Sequence, residues 1–463
     1  MFVGRRKELE ELIKRFNSGR FEFGVIYGAR RIGKTSLLDE FVKKHNAFRF
    51  QARKGTEEEN LRIFSKELNN FRGLNGNYSY ESFEAAFEDV CEYAKKERFL
   101  FVIDEVAYLC AKSQSLLSTI QYFTDGSFRE SGMMLILSGS NISFMENILN
   151  NRYDPLYKRA TFQINLKSLP FSEALQFLDG MTQEEKIKYL ALFGGHPYYL
   201  AMIDQRESFE ENIKNLLFSE YGTLCDAPEK VLPPGTSDVN MYNSILRSIS
   251  CGKRFTKEIA ETVGEESNYV SKYLNSLIEM QVIERREAYN RNRKLNYYEI
   301  SDHLLRFWFR FVYLYRDQIT QGLGEAVFQS SRKEIESFIA YGFEYVALNY
   351  MTEQNISGKL PGTFDVIRNY KVDNSQLGRS IELDGLAKGL GNSEDTLLVI
   401  ECKYRNSAFT QEMLEHLKES VSIFSGFRRY EYYLFSKSGF ENIDVGEEDN
   451  IHLIDLTTLL KQG

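Results

Sequence analysis

Proline is scarce, at 7 of 463 residues, and no long disordered linker is in evidence. The five cysteines (Cys91, Cys110, Cys225, Cys251 and Cys402) are scattered, odd in number and without C-x-x-C pairing. That argues against zinc and for reduced thiols in a cytoplasm. No uninterrupted apolar run approaches the ~20 residues that span a bilayer. The most apolar candidate, residues 304–315, carries Arg306 and Arg310. Positive charge is in deficit, with 58 Lys and Arg against 66 Asp and Glu, a net −8. The molecule as a whole is therefore no indiscriminate polyanion binder, and any nucleic-acid contact has to come from a local basic patch. The opening Arg5-Arg6-Lys7-Glu8 has no apolar signal core behind it. The expectation is a soluble cytoplasmic protein with no membrane partner.

Aromatic residues, by contrast, are plentiful, with 28 Tyr and 35 Phe. Hydrophobic content of 43% and charged content of 27% are ordinary for globular chains able to bury real cores. At this length three or four domains are expected.

The chain is organised around Gly28-Ala29-Arg30-Arg31-Ile32-Gly33-Lys34-Thr35, followed by Ser36. This has the G-x-x-x-x-G-K-S/T spacing of a phosphate-binding loop, between a predicted buried strand at 21–27 and a predicted helix at 36–44. Glycines let the backbone curl into a nest of N–H groups that cradles phosphates, and the next helix adds its positive N-terminal dipole. Lys34 can reach the β- and γ-phosphates, and the Thr35 hydroxyl can hold Mg²⁺. The predicted ligands are ATP and Mg²⁺.

Strand and helix alternate through this half: predicted strands at 47–52, 99–103, 133–137 and 162–169, with a helix at 80–98. That rhythm implies a parallel sheet covered by helices. The third strand runs into Asp104-Glu105. A carboxylate at the C-terminal end of a parallel strand lies in the ligand crevice. There Asp104 can hold Mg²⁺ and Glu105 can polarise the attacking water. The fourth strand ends Ser138-Gly139-Ser140-Asn141. Ser138, with Ser140 in reserve, is a candidate contact to the γ-phosphate or the lytic water, although the same residues make a good loop. Arg152 and Arg159 follow, either an arginine finger or a solvated surface charge.

Before the loop, Phe2-Val3-Gly4-Arg5 opens a helix whose apolar residues recur at helical spacing. The segment resembles the adenine-side stretch of AAA-type and STAND-type ATPases, which implies nucleotide contacts at Val3 and Arg5. Gly194-Gly195-His196-Pro197 breaks one predicted helix and starts another. Taken in order, these segments resemble the archaeal-type ATPases related to the STAND NTPases, over roughly the first half of the chain. The resemblance implies an α/β P-loop NTPase core at 1–168 and a small helical lid at 169–234, with His196 and Pro197 near the nucleotide. No lid arginine of the AAA sensor type is evident.

Pro233-Pro234-Gly235 reads as a boundary. Beyond it, predicted helices at 239–250, 256–263 and 267–280 precede two strands at 282–288 and 295–300, in the manner of a winged helix at 235–303. Ser267 is the predicted N-cap of the third helix. Residues 281–298 carry five basic side chains (Arg285, Arg286, Arg291, Arg293 and Lys294) against Glu284 and Glu287, five minus two or +3. Either DNA or a protein surface can answer to that charge.

The remainder, 304–463, holds a predicted helix at 331–350 with Glu344, a strand around Asp384, and a strand containing Glu401 and Lys403. Strand side chains alternate, so Glu401 and Lys403 share a face, and Asp384 can join them if the strands pair. Two carboxylates and a lysine on one face suit a divalent metal and a phosphodiester. The pattern resembles the PD-(D/E)XK nucleases, with Asp384, Glu401 and Lys403 in the motif positions and Glu344 as an extra acid. The usual proline before the aspartate is absent, and Glu382-Leu383 stands there instead. The resemblance implies a restriction-endonuclease-like α/β domain.

Two functions follow. One is an ATPase coupled to DNA binding and metal-dependent DNA cleavage. The other is a STAND-like nucleotide switch, a homo-oligomer or a regulator of a protein partner, whose C-terminal domain binds without cutting.

Overall fold

The computed structural model describes residues 2–74, 78–110, 114–226, 232, 238–288, 295–374, 379–445 and 450–461. Pro233-Pro234-Gly235 and the wing-tip Arg291, Arg293 and Lys294 lie outside the described residues. Two compact units are present, Met1–Leu169 and Pro170–Gly463.

In the first unit, helix α1 (Arg6–Asn17) leads to strand β1 (Glu22–Gly28), in which all seven residues are buried. A strand apolar on both faces belongs inside a parallel sheet. Helix α2 (Lys34–Val42) follows, then β2 (Ala47–Gln51), α3 (Glu57–Phe71), α4 (Phe83–Ala94) and β3 (Leu100–Asp104). Three short helices, α5 (Ala107–Cys110), α6 (Gln114–Asp125) and α7 (Ser127–Ser131), precede β4 (Met134–Gly139), α8 (Ile142–Asn150) and β5 (Phe162–Leu166). The sheet order is β2-β3-β4-β1-β5, with every pairing parallel.

Its two faces carry separate cores. Phe23, Val25, Phe48, Phe50, Phe101 and Ile103 meet the aromatic side chains of α3 and α4 on one face. Ile26, Leu100, Val102 and Ile136 meet Leu12, Leu37 and Phe41 on the other. The first of these faces is rich in phenylalanine, and there Phe64 packs edge-on against Phe48, Phe50, Phe83 and Phe101.

The second unit begins with helices α9 (Phe171–Ala174), α10 (Gln183–Phe193), α11 (Pro197–Leu200) and α12 (Phe209–Leu217). Helices α13 (Val239–Ser250), α14 (Thr256–Val263) and α15 (Ser267–Glu279) then precede an antiparallel pair, β6 (Ile283–Ala288) and β7 (Leu295–Ile300). This is the element order of a winged helix. Glu266, one residue before the predicted Ser267, is the N-cap of α15.

Helix α16 (His303–Phe311) and the short turn α17 (Arg316–Gln318) lead to α18 (Gly324–Ile356), 33 residues long. Helices α10 and α18 touch where Gly342 lies against Ala191, so close that a Cβ at Gly342 would stand 2.5 Å from the Ala191 Cβ. His303 Nδ1 lies 3.1 Å from the Ala191 carbonyl, and Trp308 Nε1 donates to the Cys225 carbonyl at 2.6 Å. The segment read as a lid is therefore packed within this unit.

The C-terminal sheet is mixed, in the order β14-β12-β10-β9-β8. Its strands are β8 (Arg368–Asn374), β9 (Arg379–Lys388), β10 (Thr396–Lys403), β12 (Arg429–Ser436) and β14 (Ile451–Asp455). The two-residue strands β11 (Phe409–Thr410) and β13 (Phe440–Glu441) pair separately, α19 (Gln411–Val421) packs on the sheet, and α20 (Leu456–Leu460) follows β14. Strands β9 and β10 are antiparallel, whereas β10, β12 and β14 are parallel.

Candidate functional site

The loop after β1 is shaped by backbone that only certain residues tolerate. Gly33 has φ 97°, and Arg31, a non-glycine, has φ 64°. A Cβ at Gly28 would meet the Leu166 carbonyl oxygen at 2.4 Å. Ile32 is buried and anchors the loop, while Ala29, Arg30, Arg31, Thr35 and Ser36 are exposed. Lys34 begins α2 and is only 5% exposed; its Nζ donates to the carbonyls of Gly28 and Ala29 at 2.9 and 2.8 Å. Burial lowers the Lys34 pKa, and the carboxylates of Glu105 and Asp104 oppose that fall.

Arg5, at the head of α1, is buried and braces the loop from behind. Its Nη2 donates to the Ile32 carbonyl at 2.8 Å and to the Lys167 carbonyl at 2.6 Å. Val3 lies beside it, half-buried. Pro197 belongs to the second unit as the first residue of α11.

Asp104 ends β3 almost fully buried, and its Oδ1 accepts the Glu105 N–H at 3.0 Å. Glu105 itself has φ 54°, which turns its carboxylate towards the end of β4. There it accepts the Ser140 hydroxyl at 2.8 Å and the Ser140 N–H at 3.2 Å. Ser138, the first choice from sequence, is fully buried with an Oγ that has no hydrogen-bond partner among the described residues. Arg159 is engaged locally: Nε and Nη2 reach the Asp125 carboxylate at 2.9 Å, and Nη1 reaches the Pro155 carbonyl at 2.7 Å. Arg152 stacks on the exposed ring of Tyr153.

One residue of this site went unread in the sequence. Arg49 on β2 donates through Nη2 to Asp104 Oδ2 at 2.6 Å and also pairs with Asp39 of α2. A charged residue between two buried phenylalanines of a strand was the available signal.

The second cluster lies on the C-terminal sheet. The β9–β10 register pairs Gly385 with Ile400, so that Asp384 stands opposite Glu401 on the same face. Asp384 Oδ2 accepts the Cys402 N–H at 2.7 Å, which the ladder itself leaves open. Glu401 and Lys403 form an ion pair. Burial, then the charges of Glu401 and Glu344, push the Asp384 carboxyl well above its ordinary range. Burial and then Glu382 raise Glu344 on α18 to about 7, against the opposing Arg254. Burial also raises Glu401, with Lys403 opposing. Lys403 is itself held above its usual value because Glu401 and Asp384 outweigh the cost of burying it.

Asp384, Glu401, Lys403 and Glu344 thus form one electrostatically connected site, and Glu382 joins it by its two-residue spacing from Asp384. Hard oxygen ligands with an excess of half-buried negative charge suit a divalent cation. Among the described residues, however, no group of three or more His, Cys, Asp or Glu side chains is arranged to hold a metal ion. No helix among them is long and apolar enough to cross a membrane.

Of the basic residues near the wing, Arg285 is exposed, while Arg286 pairs with Glu299 and Glu284.

Comparison with known proteins finds two matched segments. Residues 2–203 match the family described as an ATPase domain predominantly from Archaea, and residues 308–417 match archaeal and bacterial proteins of unknown function. An uncharacterized protein of Methanocaldococcus jannaschii is 28% identical over 412 residues, covering 88% of each chain. An uncharacterized ATP-binding protein of the same organism is 42% identical over 43 residues, 9% of this chain and 73% of that one. The structure of a Walker-type ATPase of Pyrococcus abyssi superposes with a TM-score of 0.54 at 18% identity, covering 66% of this chain and 96% of that one. That likeness concerns the fold, an α/β P-loop arrangement. Through residues 2–203 the chain belongs to the ATPase family found predominantly in Archaea, and through residues 308–417 it shares a segment whose function is unknown.

Proposed function

We propose that the chain binds ATP with Mg²⁺ at Gly28–Thr35 and hydrolyses it. The observation that carries this reading is the convergence of Lys34, Asp104 and Glu105 at the C-terminal edge of one parallel sheet. Lys34 is buried beside the loop carbonyls and within the field of both carboxylates. Thr35 and Asp104 are the residues that would hold the magnesium ion, which supplies charge neutralisation for the phosphates. Glu105 would take a proton from the attacking water, with Ser140 fixing the carboxylate's orientation. Ser138 and Arg159 remain candidate contacts to the γ-phosphate. Arg159 would have to leave Asp125 to make one.

The same proposal extends to the second unit. Asp384 and Glu401 would hold a divalent metal, Glu344 would have to close on them to add a third ligand, and Lys403 would orient water towards a phosphodiester. Winged-helix order and an exposed Arg285 support DNA as the substrate class. The test is cleavage of supercoiled, linear and single-stranded DNA by the full chain with Mg²⁺ or Mn²⁺, with and without ATP. Cleavage that disappears in Asp384→Ala supports the nuclease reading; equal cleavage in that variant contradicts it.

A second reading is favoured by the absence of a three-ligand metal cluster among the described residues. In it the C-terminal site binds without cutting, and nucleotide governs assembly with itself or a protein partner. It predicts different sedimentation profiles with ADP and with a non-hydrolysable ATP analogue. One profile for both would end it.

A further inference from the structure

The Asp104 carboxylate is shared between two donors, the N–H of Glu105 on Oδ1 and the guanidinium of Arg49 on Oδ2. Arg49 is 14% exposed against 1% for Asp104, so this is a largely buried ion pair rather than a surface contact. Its Nε is buried with no hydrogen-bond partner among the described residues, where carboxylates alone anchor the guanidinium. The second of these is Asp39, on the outer face of α2 and 53% exposed. Arg49 therefore links the strand that ends in Asp104 to the helix that starts at Lys34.

Charge makes the arrangement consequential. The two carboxylates at the end of β3, Asp104 and Glu105, are already matched by two cations, Lys34 and Arg49. A divalent ion drawn to Asp104 meets a resident positive charge on one of its oxygens. Breaking a buried ion pair normally strands a partner at high cost. Here Asp39 offers the guanidinium another carboxylate in water, so the exchange can proceed without stranding it.

We propose that Arg49 competes with magnesium for Asp104, and that Asp39 receives its guanidinium when the metal takes that carboxylate. Arg49 is then a positioning residue that sets how much magnesium the nucleotide site requires. The proposal rests on the reading of this loop as a magnesium–nucleotide site.

The test is calorimetric binding of a non-hydrolysable ATP analogue to the full chain over a magnesium titration and in EDTA. Wild type, Arg49→Gln and Asp39→Asn are compared. Arg49→Gln should lower the half-saturating magnesium concentration about tenfold, the order expected when a unit charge is removed a few ångström from a metal. Its affinity in EDTA should stay near that of wild type. Asp39→Asn should shift the requirement upwards, because the guanidinium loses its second partner and stays on Asp104. An unchanged or raised requirement in Arg49→Gln would overturn the proposal and leave Arg49 as a simple brace. If Arg49→Gln fails to fold, Asp39→Asn decides alone: a raised requirement supports competition and an unchanged one overturns it. A wild type whose analogue binding ignores magnesium would instead overturn the magnesium–nucleotide reading itself.

Discussion

Lys34 and Glu344 show how single side chains carry opposite electrostatic burdens in the two units. Lys34 is a buried cation that two carboxylates help to keep charged. Lys34→Ala removes the group that would meet the β- and γ-phosphates, and ATP affinity should fall ~10²-fold or more in equilibrium binding. Glu105→Gln should bind ATP normally but turn it over ~10²–10⁴-fold more slowly, as expected for loss of a general base. Equal turnover would place the base elsewhere. Glu344 is the reverse case, a half-buried acid among acids. The folded chain keeps its proton to about pH 7, whereas the unfolded chain releases it near the ordinary value of 4.5. Between those values the folded state binds more protons. The stabilisation is therefore full below pH 4.5 and is lost as pH rises to 7, by about 3 kcal/mol at most. In EDTA, Glu344→Gln should melt near wild type at pH 5 and above it at pH 8. A variant less stable than wild type at pH 8 would contradict the buried-acid account.

At the scale of elements, close helix contact makes its own prediction. Gly342 lets α18 approach α10 at Ala191, and a methyl group there would overlap both side chain and backbone. Gly342→Ala should destabilise the second unit by about 1–3 kcal/mol, read as a lower Tm. The elements most readable in sequence were those with one dominant signal. Strand β1 showed an apolar run before a glycine loop, and α13, α14, α15, β6 and β7 showed clean periodicity between turn residues. The predicted helix over 80–98 is shorter because Ser82 caps α4 and starts it at Phe83. The strand predicted over 162–169 ends at Leu166, where pairing with Gly28 ends. Helices α5 and α7 are too short for a full helical period, and α6, which does carry one in Leu116, Leu117, Ile120 and Phe123, went unread with them. So did β8, β12 and β14, because strands outside the acidic motif carry no chemistry to single them out. Site residues followed the same rule. Lys34, Asp104 and Glu105 lie in motifs and Ser140 is a candidate from its place just after β4, while Arg49 acts through a contact between strands far apart in sequence, which spacing along the chain does not encode.

For the whole molecule, the net charge of −8 means that any DNA affinity has to be local and strongly salt-dependent. Arg285 is an exposed cation of the hairpin, and Arg285→Ala should weaken duplex binding across sequences and reduce the salt slope by about one. An unchanged slope would take the hairpin out of the interface. The account as a whole stands on the loop at Gly28–Thr35 working as an ATP-hydrolysing site, and magnesium-dependent phosphate release from ATP by the full chain tests it most directly, with Lys34→Ala alongside. The expected result is turnover in the wild type that vanishes in EDTA and in Lys34→Ala. Turnover that persists in Lys34→Ala, or a folded wild type with none at any magnesium concentration, would contradict it.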